Sequence, residues 1–189
     1  MNYETMIEEV YYNAKNNVSD INEHIPLLNS LANECEHVTE MGVRFGASSA
    51  AFLKSNVILR SYDIESHPNP VRLFDMAKKA GKDVEYIIAD VLTVDIEETD
   101  MLFIDTWHSN DQLRKELKLH GNKAKKYLAF HDTNTYGLQD ESWDKIKPNH
   151  PGAGLLPAII DFVIENPHWR FKHFRTNNNG LTVLEREQV

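Results

Sequence analysis

The sequence predicts an α/β protein: a three-layer sandwich in which helices cover both faces of a mostly parallel, seven-stranded sheet. Short apolar runs without polar alternation are separated by amphipathic stretches of helical spacing, a pattern typical of parallel strands buried on both faces. The last two runs, residues 169–176 and 181–187, flank the tetrapeptide NNNG. This turn favours a β-hairpin, with its three asparagines serving the turn itself, so the sheet is expected to end in an antiparallel pair.

Two helices are expected before the sheet. Residues 3–15 have helical character, and so do residues 20–35, for which Ser19 is suited as an N-cap. The second stretch places four apolar residues at helical spacing: Ile21, Ile25, Leu28 and Leu31. We therefore expect one domain over residues 1–189, with N-terminal helices in 1–35 and the sheet core in 36–189.

Five parallel strands are predicted to follow, at residues 37–43, 57–63, 84–90, 101–105 and 127–132. Helices are predicted at 48–55 with a serine cap, at 70–81 from Pro70 to Gly81, at 110–121 and at 155–166. Residues 133–153 form a polar stretch that is predicted to be a long loop, and such loops tend to be functional. Its candidate acceptor contacts are Tyr136, Trp143 and His150.

Composition limits the classes of partner. The chain has 189 residues, of which 41% are apolar and 26% charged, as in ordinary globular proteins. Its net charge of −9 argues against nucleic acid or an anionic membrane as the main partner and leaves a homo-oligomer open. The single cysteine, Cys35, is expected to be a buried thiol, and the chain shows no signal-peptide pattern. A cytoplasmic protein is expected.

The segment 37–53, HVTEMGVRFGASSAAFL, predicts a strand, a glycine-containing turn and a helix. Gly42 and Gly46 would let a ligand approach the backbone closely, and a helix beginning near Ser48 would offer free amide donors. Arg44 occupies the position that a dinucleotide fingerprint fills with glycine. The turn therefore indicates an adenosine-containing ligand but disfavours a nicotinamide dinucleotide.

An acidic residue lies at or near the end of each predicted parallel strand: Glu40, Asp63, Asp90, Asp105 and Asp132. Aspartate also suits strand ends and helix caps on structural grounds. Five carboxylates at one edge of a sheet are nevertheless costly unless hydroxyls, amines or a metal lie there. Asp63 is placed to accept hydrogen bonds from ribose hydroxyls, and Asp90 from an adenine amino group.

The segment TEMGVRFGASS resembles the first motif of class I S-adenosylmethionine-dependent methyltransferases, in the E-x-G-x-x-x-G-x-S form of small-molecule O-methyltransferases and cephalosporin hydroxylase-like proteins. The terminal hairpin resembles the reversed strand pair of the same family. The resemblance implies a Rossmann-like fold and S-adenosylmethionine as the cofactor, which has no pyrophosphate, so Arg44 is tolerated. The cofactor contacts that follow are Glu40, Gly42, Gly46, Ser48, Asp63, Asp90 and Trp107.

A second group of polar residues follows the fourth and fifth strands. Asp105 and His108 are three residues apart at a strand-to-helix turn, and His131 and Asp132 are adjacent at the next strand end. Oxygen ligands from neighbouring strand ends can hold one divalent cation, and His131, if it is a ligand and not a packing residue, would admit Mn²⁺ or Fe²⁺ as well as Mg²⁺. The predicted metal ligands are thus Asp105, His131 and Asp132.

Catechol-type and sugar O-methyltransferases resemble this arrangement. They have an aspartate after strand four, a basic residue three places beyond it, and an acidic pair or Asp-Asn after strand five. His108 stands at the basic position, whereas His131 replaces a carboxylate and Thr133 replaces the asparagine. The resemblance implies that Asp105 and His108 are catalytic, with His108 as the general base for an acceptor hydroxyl.

The function implied is S-adenosylmethionine-dependent, metal-assisted O-methylation of a small hydroxylated molecule such as a sugar, a phenol or a natural product. Mg²⁺ or Mn²⁺ would acidify the acceptor hydroxyl. Two alternatives stay open: a cephalosporin hydroxylase-like protein of undefined reaction, and a catalytically silent domain that binds the cofactor or acts as a scaffold.

Overall fold

The computed structural model of the chain describes residues 2–141 and 153–187, so Trp143 and His150 lie outside the described residues. The helices are α1 (Tyr3–Asn16), α2 (Ile25–Ala32), α3 (Ala47–Lys54), α4 (Pro68–Lys79), α5 (Asn110–His120) and α6 (Leu155–Glu165). The strands are β1 (His37–Met41), β2 (Ile58–Asp63), β3 (Val84–Ile88), β4 (Thr99–Ile104), β5 (Ala124–His131), β6 (Trp169–Arg175) and β7 (Leu181–Arg186).

The seven strands form one sheet in the order β3-β2-β1-β4-β5-β7-β6. Strands β1 to β5 are parallel, and β7 runs antiparallel to both β5 and β6. The predicted mostly parallel sheet with a terminal hairpin is therefore confirmed. The strand order reverses between β1 and β4, and open α/β sheets bind their ligands at such a switch point.

The register aligns the ends of the central strands. Met41, the last residue of β1, pairs with Tyr62 of β2 and with Ile104 of β4. Ile104 pairs in turn with Phe130 of β5. The residues that come next along the chain therefore lie in one row along the carboxyl edge of the sheet: Gly42, Asp63, Asp105 and His131.

Two apolar clusters, one on each face of the sheet, make up the core of the described residues. Helices α1 to α4 cover one face, where Phe52 of α3 packs edge-on against Phe103 of β4. Helices α5 and α6 cover the other face, where Phe162 contacts the fully buried Trp169. Each such large side chain contributes about 1.5–3 kcal/mol when it leaves water. This packing confirms the three layers and holds the strand ends in place.

The second helix begins later than the sequence predicts. The Ser19 hydroxyl accepts a hydrogen bond from the amide of Asn22 at 3.1 Å, just before a short 3₁₀ turn at Asn22–His24 whose N-cap is Ile21. Helix α2 then starts at Ile25, with Pro26 in its first turn, where a missing N–H costs nothing. The predicted N-cap at Ser19 is therefore wrong.

The predicted serine cap of the third helix is also wrong. Helix α3 begins at Ala47, and its N-cap is Gly46, whose φ of +84° favours glycine. Ser48 and Ser49 lie inside the helix and so cannot be its N-cap, and their hydroxyls donate to Glu40. Helix α4 likewise begins at Pro68, two residues before the predicted start.

Cys35 is buried, as predicted. Its thiol donates to the carbonyl oxygen of Leu31 at 3.3 Å, and burial raises its pKa to about 12. A thiol with so high a pKa is not a nucleophile at neutral pH. Across residues 2–141 and 153–187, the helices are too short or too polar to cross a membrane.

Candidate functional site

The turn after β1 touches the end of β4. The amide of Asp105 donates to the carbonyl of Met41 at 2.8 Å, and the amide of Gly42 donates to the carbonyl of Tyr62 at 2.9 Å. Gly42 has a φ of +86°, and a Cβ built on it would lie 2.0 Å from the carbonyl oxygen of Asp105. Glycine is therefore required, and the predicted cofactor turn and the predicted metal strand are in direct contact.

Glu40 lies fully buried beneath this turn. One carboxylate oxygen accepts from the Ser48 hydroxyl at 2.6 Å, and the other accepts from Ser49 at 2.8 Å and Ser61 at 2.5 Å. Burial raises the pKa of Glu40 to about 7, although the three serine bonds oppose the rise. Glu40 and Ser48 therefore contact each other, and they would act on a cofactor through the shape of the turn.

Asp63 holds the turn from the side of β2. One of its oxygens accepts from the amides of Val43 at 3.0 Å and Arg44 at 2.8 Å, and the other accepts from Glu65 at 3.1 Å. Arg44 has a φ of +49°, a strained conformation that these bonds help to maintain. The carboxylate lies at the end of β2 and orders the loop, and its contact with a ribose stays a prediction.

Two exposed apolar residues lie in or next to this part of the site, Phe45 in the turn after β1 and Ile64 directly after Asp63, and sequence reasoning overlooked both. Ile64 is 70% exposed, and Phe45 is 62% exposed, with its ring 5.9 Å from that of His67. Exposed apolar side chains beside a ligand loop can cover a flat aromatic group. The available signal was an apolar residue directly after Arg44, within the predicted cofactor turn, and another directly after the predicted contact Asp63.

The last two predicted cofactor contacts lie farther along the edge. Asp90 is exposed after β3, where its side chain accepts from the amide of Leu92 at 2.9 Å and orders a turn. Trp107, between β4 and α5, lines a small cavity behind His108. Its indole N–H is buried and finds no partner among the residues that the structure describes.

Asp105, His131 and Asp132 converge as predicted. Each offers one ligand atom, and these three atoms lie within 4.8 Å of one another. The imidazole Nδ1 of His131 is 3.3 Å from Asp105 Oδ1 and 3.0 Å from Asp132 Oδ2. Ligands of one small cation at ~2.0–2.2 Å lie within about 4.4 Å of one another, so minor side-chain movement would complete the set.

Asp132 shows two further features of a ligand. Its φ of +59° is unusual for a residue other than glycine. Its second oxygen, Oδ1, is buried and has no partner within the described part of the chain. The hydrogen bonds of the two histidines lower its pKa, which burial alone would raise. A charged carboxylate with one oxygen left over suits a cation.

The far nitrogen of His131 fixes which ring atom faces the carboxylates. Nε2 lies 3.0 Å from the carbonyl oxygen of Asp20 and 3.3 Å from that of Asn178. Carbonyls only accept, so Nε2 carries a proton and Nδ1 is the atom left for a metal. Burial lowers the pKa of His131, but its bonds to Asp105 and Asp132 raise it to about 10.

His108 stands beside this triad and is held at both nitrogens. Its Nε2 is 3.0 Å from Asp132 Oδ2 and 3.3 Å from Asp105 Oδ1, while Nδ1 is 3.0 Å from Glu141 Oε2. Its ring also stacks on Tyr136, with centroids 4.9 Å apart. Burial lowers the pKa of His108, yet the carboxylates raise it to about 10. Sequence reasoning missed Glu141, which lies 33 residues from its partner.

A cavity of about 10 Å³ lies behind the two histidines, which is room for roughly one water molecule. The fully buried Glu116 lines it. One oxygen of Glu116 accepts from Thr106 at 2.6 Å and Gln112 at 2.8 Å, and the other has no partner among the described residues. Burial raises the pKa of Glu116 to about 7. Sequence reasoning did not single out this residue.

No protein-family model and no curated protein matches the sequence. Solved structures do. An O-methyltransferase from Bacillus cereus in complex with SAH superposes with a TM-score of 0.62 at 14% identity, covering 98% of this chain and 90% of that one. The N-methyltransferase NodS from Bradyrhizobium japonicum WM9, in complex with S-adenosyl-L-homocysteine (SAH), gives 0.60 at 13% identity and covers both chains fully, at 100% each.

A third similar structure is the SAH-bound methyltransferase PaMTH1 from Podospora anserina, with a TM-score of 0.59 at 15% identity over 96% of this chain and 88% of that one. Such low identities establish the fold alone. The chain has the Rossmann-like fold of class I S-adenosylmethionine-dependent methyltransferases.

Proposed function

We propose that the chain is an S-adenosylmethionine-dependent methyltransferase that methylates a hydroxyl group of a small acceptor with the help of a divalent cation. The observation that carries this proposal is the contact between Gly42 and Asp105. It sets a cofactor-type turn directly against a cluster of two carboxylates and two histidines. A methyl donor and a hydroxyl activator must be this close for direct transfer.

The cofactor would lie along the ends of β1, β2 and β3. Asp63 would accept from the ribose hydroxyls, and Asp90 from the adenine amino group. Gly42 and Gly46 would allow the ligand to approach the backbone. Glu40 and Ser48 support the proposal indirectly, because they brace the turn from beneath. Trp107 would wall the methionine end or the acceptor.

Asp105, His131 and Asp132 would hold the cation. Their donor set fits a cation, because it combines a carboxylate oxygen that has no partner among the described residues with an imidazole whose other nitrogen is already bonded. When bound, the cation would acidify the acceptor hydroxyl. One nitrogen beside carboxylate oxygens suits Mn²⁺ or Fe²⁺ as well as Mg²⁺.

His108 would act as the general base. Burial lowers the pKa of His108, but the surrounding carboxylates raise it to about 10, and a bound cation would offset their charge and favour the neutral ring. Glu141 would then accept the Nδ1 proton and direct the lone pair to Nε2, in the manner of a carboxylate that orients a catalytic histidine. Nε2 would take the proton of the acceptor hydroxyl. The freed oxygen forms a bond to the methyl carbon as the carbon–sulfur bond breaks, which leaves neutral S-adenosylhomocysteine.

Two measurements test the proposal. Isothermal titration with S-adenosylhomocysteine should show binding by the wild type and none by Gly42→Ala, whose Cβ would collide with Asp105. Transfer of labelled methyl from S-adenosylmethionine to a panel of sugars and phenols, with Mn²⁺ present, should give product. Absence of cofactor binding by the folded wild type contradicts the proposal. Binding without transfer to any acceptor favours the silent cofactor-binding domain.

A further inference from the structure

Two distant segments meet above His131. The strap, residues 17–24, links α1 to α2, and the hairpin tip, residues 177–180, links β6 to β7. The side chain of Asn178 joins them: its oxygen accepts from the amide of Glu23 at 2.9 Å, and its nitrogen donates to the carbonyl of Ser19 at 2.6 Å. Asn177 also donates to the carboxylate of Glu23.

Each segment presents one carbonyl to the same ring nitrogen. The carbonyl of Asp20 lies 3.0 Å from His131 Nε2, and that of Asn178 lies 3.3 Å from it. Neither carbonyl belongs to the strand that carries His131. Their placement depends on how the strap and the tip are held together.

The backbone conformation of the hairpin tip holds the carbonyl of Asn178 in place. Asn178 has a φ of +48° and Asn179 a φ of +67°, a conformation that asparagine tolerates better than most residues. The carbonyl of Asn179 accepts from the amides of Asn134 and Thr135 at 2.9 and 3.0 Å, which ties the tip to the loop after β5. The asparagines therefore do more than form the turn.

Hydrogen bonds to Nε2 are needed to fix the orientation of the His131 ring. Rotation of an imidazole about its last torsion is broad and roughly two-fold, so shape alone distinguishes the two ring orientations poorly. One orientation places Nδ1 between Asp105 and Asp132, and the other places a ring carbon there. Only the first gives the cation a nitrogen ligand.

We propose that Asn178 is a positioning residue for the metal centre: its side chain clasps the strap to the hairpin tip, and the two carbonyls so held orient His131 with Nδ1 toward Asp105 and Asp132. This inference rests on the proposed metal site. It makes the strap before α2 and the terminal hairpin part of that site, although neither contributes a ligand.

The test compares Asn178→Gly with Asn179→Gly. Both variants keep a residue that accepts positive φ, but only the first removes the clasp, since no hydrogen bond of the Asn179 side chain occurs among the described residues. Affinity for Mn²⁺, measured by electron paramagnetic resonance, should fall ~10–100-fold in Asn178→Gly, the usual effect of losing an outer-shell partner. It should stay within about twofold of wild type in Asn179→Gly, and S-adenosylhomocysteine affinity should hold in both.

A second readout does not need the metal. In ¹⁵N-labelled metal-free protein, the Nε2 proton of His131 should be protected from solvent exchange in the wild type and in Asn179→Gly, and exposed in Asn178→Gly. Protection that survives in Asn178→Gly, or unchanged Mn²⁺ affinity in that variant, overturns the proposal.

Asn178→Asp keeps the acceptor for the amide of Glu23 but loses the donor to the carbonyl of Ser19, and it is the variant to use if Asn178→Gly does not fold. Wild-type protein that binds no Mn²⁺ contradicts the metal part of the proposed function, and the exchange comparison then still decides on the clasp.

Discussion

The two halves of the carboxyl edge of the sheet handle their carboxylates differently. On the side of β1 and β2, neutral donors satisfy them: three serine hydroxyls for Glu40 and three backbone amides for Asp63. On the side of β4 and β5, histidine rings face Asp105 and Asp132, and Asp132 keeps one oxygen without a partner among the described residues. The first half is organised by its own bonds, and the second has the charges that a cation would require.

This difference predicts how each half responds to change. The bonds of the first half shape a loop, so substitutions there should alter cofactor affinity and stability together. The bonds of the second half surround the proposed site of the cation and the acceptor hydroxyl. Substitutions there should therefore alter the rate of methyl transfer and leave the fold intact. Four experiments probe this contrast: three on activity or binding, from the largest expected effect to the smallest, and one on stability.

Removal of the cation should have the largest effect. Excess chelator should reduce methyl transfer by ~10³-fold or more, because several kcal/mol of charge stabilisation are lost. The protein should stay folded and should keep its affinity for S-adenosylhomocysteine, since the sheet does not depend on the ion. Mn²⁺ or Mg²⁺ should restore the rate. Full activity in chelator would show that Asp105, His131 and Asp132 hold no catalytic metal.

Substitution of the proposed base should come next. His108→Ala should lower kcat by ~10²–10⁴-fold, the usual contribution of general-base catalysis, with cofactor affinity unchanged. Glu141→Gln should cause a smaller loss in the same parameter, because it only weakens the orientation of the ring. Steady-state kinetics on both variants measures this. If His108→Ala instead lost Mn²⁺ affinity at an unchanged rate in saturating metal, His108 would be a ligand and the base would lie elsewhere.

In the first half, Asp63→Ala should weaken binding of S-adenosylhomocysteine by ~1.5–3 kcal/mol, the range for a hydrogen bond to a charged group. Part of the loss should come from the loop, because the amides of Val43 and Arg44 lose their acceptor. Isothermal titration gives the affinity, and Asp63→Asn is the control that keeps the shape of the side chain. Wild-type affinity in a folded Asp63→Ala protein would refute the ribose assignment.

The last experiment concerns stability and pH. The pKa of Glu40 is about 7 in the folded protein, against 4.5 for the ordinary side chain. A group whose pKa is raised on folding stabilises the protein fully below its unfolded pKa, and this contribution is lost as pH rises through the folded one. Between pH 4.5 and 7 the wild type should therefore lose stability on the order of 2–3 kcal/mol through this group.

Glu40→Gln should remove the part of the pH-dependent loss of stability that comes from the titration of Glu40. Urea unfolding of both proteins across this pH range measures it, and the difference between their unfolding free energies should change steadily in favour of the variant as pH rises. Glu116, with a similar pKa of about 7, is present in both proteins and cancels. Parallel pH profiles would mean that Glu40 titrates with the same pKa in the folded and unfolded states.

The sequence predicted the fold well because its signals are local. Apolar runs marked every strand, and NNNG marked the hairpin. The two misplaced helix caps have different causes. Ser19 binds the amide of Asn22 within its own turn, whereas α3 begins at Ala47, before either serine. The bonds from Ser48 and Ser49 to Glu40 join two elements, and no local pattern could reveal them.

Only the site residues at the ends of the strands could be predicted from the sequence. Asp105, His131 and Asp132 were brought together by register, which the alternation of strands and helices implies. Glu141 and Asn178 were not predicted, because each acts across a long chain separation. The contact of the Asp20 carbonyl with His131 could not have been predicted, since every residue has a backbone carbonyl. The roles assigned to the cofactor and metal residues stay predictions.

The contact between Gly42 and Asp105 has a consequence for how such a protein can change. A single backbone position serves both halves, so a mutation there cannot improve one without displacing the other. Variation that alters the acceptor must accumulate elsewhere, for example in the loop after β5. A mutant library that randomised residue 42 would return glycine, whatever substrate was used for selection.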